Sequence, residues 1–336
     1  MKLFEAAKIK NMEVKNRFVM PPMCMYQVDK QDGIANSFHK AHYISRAISQ
    51  VGLVIVESTG VLDNGRISDY DLGLWDDRQI DGLKEIVDGV KREGSMIAIQ
   101  LNHAGRKSET KDLRHIGPSK ISFNNDEYTY EEASIDEINE VIDAFRSAAI
   151  RADQAGFDAI EIHAAHGYLI NQFISPLSNQ RKDEYGKDRF LLLKKIIEAI
   201  QEVWPKDKAL WLRISATDYI EGGIEVADWI NFLNENKDSF DLVSVSVGGL
   251  ANTKINAYPG YMLDFARQIK EAIGLMTIGV GLITSSDMAT YALENDDCDF
   301  VAFGRELLRN PNLVMDIAKE RKVEGIVHQA YNRAYR

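Results

Sequence analysis

Short apolar runs recur along the chain, each followed by a polar loop and then a stretch whose apolar positions fall three or four residues apart. The runs predict strands over 17–22, 53–57, 97–101, 157–162, 209–214, 242–246, 276–280 and 300–304. The intervening stretches predict helices. Over 135–155, Ile138, Val141, Ile142, Phe145 and Ala149 share one face, and Ser134 with Glu137 has the spacing of a capping box. Gly52, Gly94, Gly156 and Gly274 stand where a helix would stop and a strand begin. Strands that are apolar throughout, rather than alternating, belong to parallel sheets covered on both faces. Eight strand–helix units predict a closed (β/α)8 TIM barrel; an open doubly wound sheet is disfavoured because no GxGxxG follows an early strand. Residues 2–16 alternate weakly and predict an N-terminal hairpin. With no Pro- or Ser-rich linker, the expectation is one domain over 1–336, with the hairpin at 1–16 and a tail at 322–336.

A barrel gathers its chemistry at the C-terminal ends of its strands. The fourth run leads into HAAHGYL, from His163 to Leu169. A turn there aims His163 and His166 at one small target, with Tyr168 just past the flexible Gly167. Two neutral imidazoles can donate to one carbonyl oxygen, and a phenol can supply a proton. Two plainer readings stand beside this one: a structural histidine, or a metal pair completed by His103 or Cys24. Cys24 and Tyr26 follow the first run, Gln100 and His103 flank the end of the third, and Arg213 closes the fifth. Gly281 and the Gly304-Arg305 pair occupy the loops after the last two runs, where barrels bind phosphate, often with a following helix N-terminus.

Composition narrows the function classes. The 336 residues are 45% hydrophobic, with mean hydropathy −0.26, a formal charge of −11 and a pI near 5.2. Such an acidic chain is a poor nucleic-acid or anionic-membrane binder, and no run is long enough to span a bilayer. Cys24 and Cys298 form no disulfide framework, and MKLFEAAKIK lacks the apolar core of a signal peptide; both point to the cytoplasm.

The segments KNRFVMPPMCMY (15–26), HYISRA (42–47), GLVIVES (52–58), QLNHAGRK (100–107), GFDAIEIHAAHGYLINQFISPLSN (156–179) and FGRELLRNP (303–311) resemble the old yellow enzyme family of flavin-dependent ene reductases, in its NADPH dehydrogenase branch. The resemblance runs nearly end to end and implies FMN at the barrel mouth and NADPH as hydride donor. It implies that Pro21, Pro22, Met23 and Cys24 lie along the flavin, with Cys24 tuning its potential. Ser58, Gln100 and Arg213 would contact the ring system; Gly281, Gly304 and Arg305 would hold the phosphate and ribityl end. His163 and His166 would hold the carbonyl oxygen of an α,β-unsaturated substrate while hydride passes from flavin N5 to its β-carbon, and Tyr168 would protonate the α-carbon. Tyr26 and Lys107 would line the substrate site. Nitro compounds, quinones and maleimides would also fit as acceptors. Arg333 would reach into a neighbouring subunit's site, implying a homo-oligomer (dimer or tetramer).

The chain also departs from the family's pattern. The segment after Tyr185-Gly186 is several residues shorter, Tyr335 replaces a tryptophan, and Pro21 replaces a hydroxyl residue in some relatives and cannot donate. Three rivals remain open: a dienoyl-CoA reductase, disfavoured by the lack of a cysteine cluster; a flavin-free lyase or isomerase acting on a phosphorylated metabolite; and a barrel that has lost turnover.

Overall fold

A computed structural model describes residues 1–121 and 130–335; Arg336, the last residue of the expected tail, lies outside that range. The eight expected strands form, as β1 (Phe18–Met20), β2 (Leu53–Gly60), β3 (Met96–Asn102), β4 (Ala159–Ala164), β5 (Ala209–Ser215), β6 (Leu242–Ser246), β7 (Met276–Gly279) and β8 (Phe300–Ala302). All neighbours are parallel. The ring closes where β1 pairs with β8 through Phe18 and Val301 on one side and with β2 through Val19 and Leu53 on the other. Helices α1 (Ser37–Ile48), α2 (Ile80–Arg92), α3 (Ile135–Ala155), α4 (Leu191–Gln201), α5 (Val226–Glu235), α6 (Leu263–Ile273), α7 (Ser286–Glu294) and α8 (Leu313–Glu320) follow the strands one by one. This is the (β/α)8 barrel.

Two separate apolar clusters explain why the strands carry no polar alternation. Val54, Val56, Ile97, Ile99, Ile160 and Ile162 face outward into the layer beneath the helices. Leu53, Ile55, Ala98, Ala159, Trp211 and Phe300 face inward and fill the barrel. The expected hairpin is present as Ala7–Ile9 paired with Met12–Val14, and its Ile9, Met12 and Val14 join that inner cluster. It therefore closes one end of the barrel with hydrocarbon. The polar positions of the strands are left to the other end.

Helix α3 starts as its spacing predicts: Ser134 Oγ accepts from Glu137 N at 3.2 Å and Glu137 returns the bond to Ser134 N at 2.8 Å. Gly156 and Gly274 end α3 and α6 in the left-handed region. Gly52 does something else. Helix α1 ends at Ile48 with Ser49 as its cap, and glycine is required at 52 because a Cβ there would come within 2.6 Å of the Asn16 carbonyl. Strand β4 is shifted toward its C-terminus relative to expectation, so His163 is itself a strand residue, opposite Arg213. Phe157 instead packs under the helices. Among the described residues no helix is long and apolar enough to cross a membrane.

Candidate active site at the barrel mouth

Register decides which side chains share the mouth. Inward-facing residues come in layers, because parallel neighbours keep step across β3, β4 and β5. Gln100, Glu161 and Trp211 form one layer; His163, Arg213 and Ser244 form the next one toward the C-terminal ends. The chain turns sharply after β4, with His166 and Gly167 both at positive φ. A Cβ on Gly167 would lie 2.3 Å from the Gly249 carbonyl, so the turn can rest on the β6 loop only as glycine. Lys107 fastens the same contact, its Nζ donating to the carbonyls of His166 (3.0 Å) and Gly249 (3.1 Å).

This geometry brings the three expected residues together. The rings of His163 and His166 meet edge to face at 5.1 Å, those of His163 and Tyr168 at 4.8 Å, and Lys107 Nζ lies 5.2 Å above the Tyr168 ring. Burial, then the neighbouring Arg213 and Lys107 cations, hold both imidazoles well below their usual pKa, and His166 depresses His163 further. Both rings are therefore neutral at pH 7. His163 Nδ1 accepts from Ala165 N at 3.2 Å, which fixes its proton on Nε2 as a donor. His166 Nε2 meets Ser246 Oγ at 2.7 Å, and its backbone N–H donates to Ser215 Oγ at 2.9 Å. Burial raises the Tyr168 hydroxyl well above its usual pKa, with Cys24, Tyr26, Asp71 and Glu109 adding to the shift. It keeps a proton to give.

Beside them, the Cys24 thiol sits between the Tyr26 hydroxyl and the Ser58 backbone amide. Burial, Asp71 and Glu57 push that thiol up, so it is a protonated, weakly polar group rather than a nucleophilic thiolate. Tyr26 is 47% exposed and Ser58 is buried. Below lies Gln100, whose Nε2 donates to Glu161 at 2.7 Å. Arg213 is buried, with one guanidinium nitrogen 3.4 Å from Ser244 Oγ. Across the mouth, Gly304 faces Met23 and Pro21: a Cβ there would lie 3.5 and 3.7 Å from them, which joins the β8 loop to the segment after β1. A cavity of about 150 Å³ opens at the ends of β7 and β8, lined by Val280, Thr284, Gly304 and Arg305. Arg305 is exposed and has no carboxylate within ion-pair distance among the described residues, and Gly281 takes φ 125°. The helix expected to help bind an anion there has only five residues, Arg305–Arg309, so the cradle rests on the loops and on Arg305.

These features fit FMN. A buried amide and a guanidinium suit the hydrogen-bonding edge of the ring system, and a small cavity beside an unpaired arginine suits a phosphate. Pro22 sits partly exposed beside Met23 and Cys24, within the same segment. Two residues considered with the site lie away from it. His103 is buried, its Nδ1 accepting from Gly105 N at 3.0 Å. Arg333 is exposed on the short helix Asn332–Tyr335, which Tyr335 ties to α8 through Asp316. Ser246, Ser215, Ser244 and Glu161 are site residues that motif reading misses. Their signal was a small or acidic polar residue at every second position near the ends of β4, β5 and β6, visible only once the barrel's inner face is assigned.

The model of the NADH:flavin oxidoreductase / NADH oxidase family matches residues 2–324. A protein named NADPH dehydrogenase from Clostridium acetobutylicum is 50% identical over 339 aligned residues, covering 100% of both chains. Another of that name from Bacillus subtilis is 46% identical, with 99% of each chain covered. Among solved structures, morphinone reductase superposes with a TM-score of 0.82 at 26% identity, covering 94% of this chain and 88% of its own. An old yellow enzyme homologue from Zymomonas mobilis gives 0.81 at 26% identity, covering 96% and 93%. Likeness sustained from one end to the other, on a barrel whose mouth suits FMN, means that the chain belongs to the NADH:flavin oxidoreductase / NADH oxidase family and is an FMN-dependent oxidoreductase of the old yellow enzyme type.

Proposed function

We propose that the chain is an ene reductase, which uses NADPH to reduce the activated C=C bond of α,β-unsaturated ketones and aldehydes. The observation that carries this reading is the neutral His163 ring at the end of β4, edge to face with both His166 and Tyr168. Gln100 and Arg213 would hold the pyrimidine edge of FMN, Pro21, Pro22, Met23, Cys24 and Ser58 would flank its ring, and Gly281, Gly304 and Arg305 would cradle its phosphate. Bound FMN supplies the hydride that the β-carbon receives. The protein's part is electrostatic. His163 offers Nε2–H to the substrate oxygen, and His166 shares the same oxygen in competition with Ser246. Neutral donors in a dry cleft stabilise the negative charge that gathers on that oxygen as the bond is reduced. Tyr168 holds its proton until the α-carbon needs it. Tyr26 and Lys107 shape the rim, and nitro compounds, quinones and maleimides present acceptor atoms to the same donors. The two free cysteines suit a reducing cytoplasm.

The test replaces both His163 and His166 by Ala. Two hydrogen bonds at about 1.4 kcal/mol each predict roughly 100-fold weaker binding of an enone or a phenol, with FMN still bound. Loss of FMN with unchanged phenol affinity would refute the assignment. We also propose that copies associate and that Arg333 serves the neighbouring mouth, a reading supported by its exposure on the C-terminal helix. Mixing an Arg333→Ala chain with the double His variant should then restore turnover that neither shows alone.

A further inference from the structure

One charged side chain in the barrel has no part in the scheme above. Glu161 is fully buried, one layer below His163, on the same strand. Both of its oxygens are occupied: Oε1 accepts from Gln100 Nε2 at 2.7 Å and Oε2 from Trp211 Nε1 at 2.7 Å. The Ser244 hydroxyl also bonds this carboxylate, and the same hydroxyl lies 3.4 Å from an Arg213 guanidinium nitrogen. Burial pushes the Glu161 carboxyl up, while the Arg213 charge and the donors of Trp211, Gln100 and Ser244 act to pull it down. Because indole N–H is a donor only and guanidinium is always charged, these partners favour the carboxylate anion. Such an anion is costly in a barrel otherwise filled with Ala98, Ala159 and Phe300, and filling the space alone would call for a hydrocarbon side chain.

We infer that Glu161 is a positioning residue for the flavin: it fixes which end of the Gln100 amide meets the ring and offsets part of the Arg213 charge, and so sets the flavin's midpoint potential. The first half is stereochemical. A side-chain amide can flip, and by taking Nε2–H the carboxylate fixes which face is turned to it, leaving Gln100 Oε1 and the remaining N–H for the ligand. The second half is electrostatic. Arg213 favours the reduced, more negative flavin, and a fixed anion one layer below weakens that preference. Neutralising the anion strengthens it and moves the potential upward.

The inference rests on the reading of Gln100 and Arg213 as flavin contacts, so the experiment tests the two separately in FMN-loaded protein. Midpoint potential and FMN dissociation constant are measured for Gln100→Ala, Glu161→Gln and Ser244→Ala. Gln100→Ala should weaken FMN binding; if it changes neither quantity, the site reading falls and the inference with it. Glu161→Gln should keep FMN while binding its reduced form about tenfold more tightly relative to the oxidised form, which is about 30 mV more positive for two electrons. Ser244→Ala, which cuts the link between Arg213 and the carboxylate, should shift the potential the same way by less. If Glu161→Gln does not fold, Ser244→Ala decides: an upward shift supports the assignment and an unchanged potential overturns it. Wild-type potential in a folded Glu161→Gln, with Gln100→Ala impaired, overturns the inference and leaves the site reading standing. None of these readouts needs an enone.

Discussion

Four histidines are held neutral at this barrel's mouth and beneath its rim, and they tie stability to pH. Burial takes His103 down to about 3 and, with the nearby Arg46 and His39, His42 to about 4, while His163 and His166 lie well below their usual value. In the unfolded chain each titrates near 6.5. The unfolded state therefore binds more protons below that pH, so stability present at pH 7 drains away as the pH falls toward the folded values. His103 alone should cost about 2 kcal/mol between pH 7 and 5. Asp71, raised to about 6 by burial, works the other way over the same window, joined by Glu161, Asp218 and Asp297, which burial also raises, but the five lowered histidines, His115 included, outnumber them. The expected outcome is a urea midpoint clearly lower at pH 5 than at pH 7, and an unchanged midpoint would contradict the buried neutral rings. At this scale the sequence was legible where a motif concentrates chemistry, as in HAAHGYL, where His163, His166 and Tyr168 do converge. It was not legible where partners come from different strands. Nothing local in LWLRIS or LVSVS says that Ser246 meets His166, because that contact depends on barrel register.

Elements here are set by a few local devices whose removal can be priced. Ser134→Ala breaks the reciprocal cap of α3 and should lower unfolding free energy by about 1 kcal/mol without changing turnover, since α3 lies outside the barrel wall. Gly167→Ala is a different kind of change. The residue has φ 72° and its new methyl would collide with backbone, the Gly249 carbonyl, which cannot swing aside as a side chain would. The turn must shift, carrying His166 and Tyr168 with it. We expect phenol affinity to fall at least tenfold while FMN absorbance is kept, measured by titration of the flavin spectrum. The eight strands and the start of α3 could be read from apolar runs and from one Ser–Glu spacing because those signals are local. The role of Gly52 could not, since its reason is the distant Asn16 carbonyl rather than the end of a helix. The same limit hid the two-residue shift of β4, which makes His163 a strand residue paired with Arg213 instead of one following the strand.

For the whole molecule, the barrel separates sealing from chemistry. The hairpin's Ile9, fully buried, plugs the end opposite the mouth. Ile9→Ala should therefore cost about 3 kcal/mol in unfolding free energy while kcat and KM for NADPH stay at wild-type values. A matching loss of activity at temperatures where the protein stays folded would show that the two ends are coupled. The seam between β1 and β8 has a consequence for biosynthesis. Phe18–Met20 leaves the ribosome long before Phe300–Ala302, yet each is the other's neighbour. Until the final strand emerges, a growing sheet displays two unpaired margins to its surroundings. A chain halted before residue 300 should therefore bind chaperones or precipitate rather than persist as a smaller barrel, and the finished ring should snap shut late, in one step.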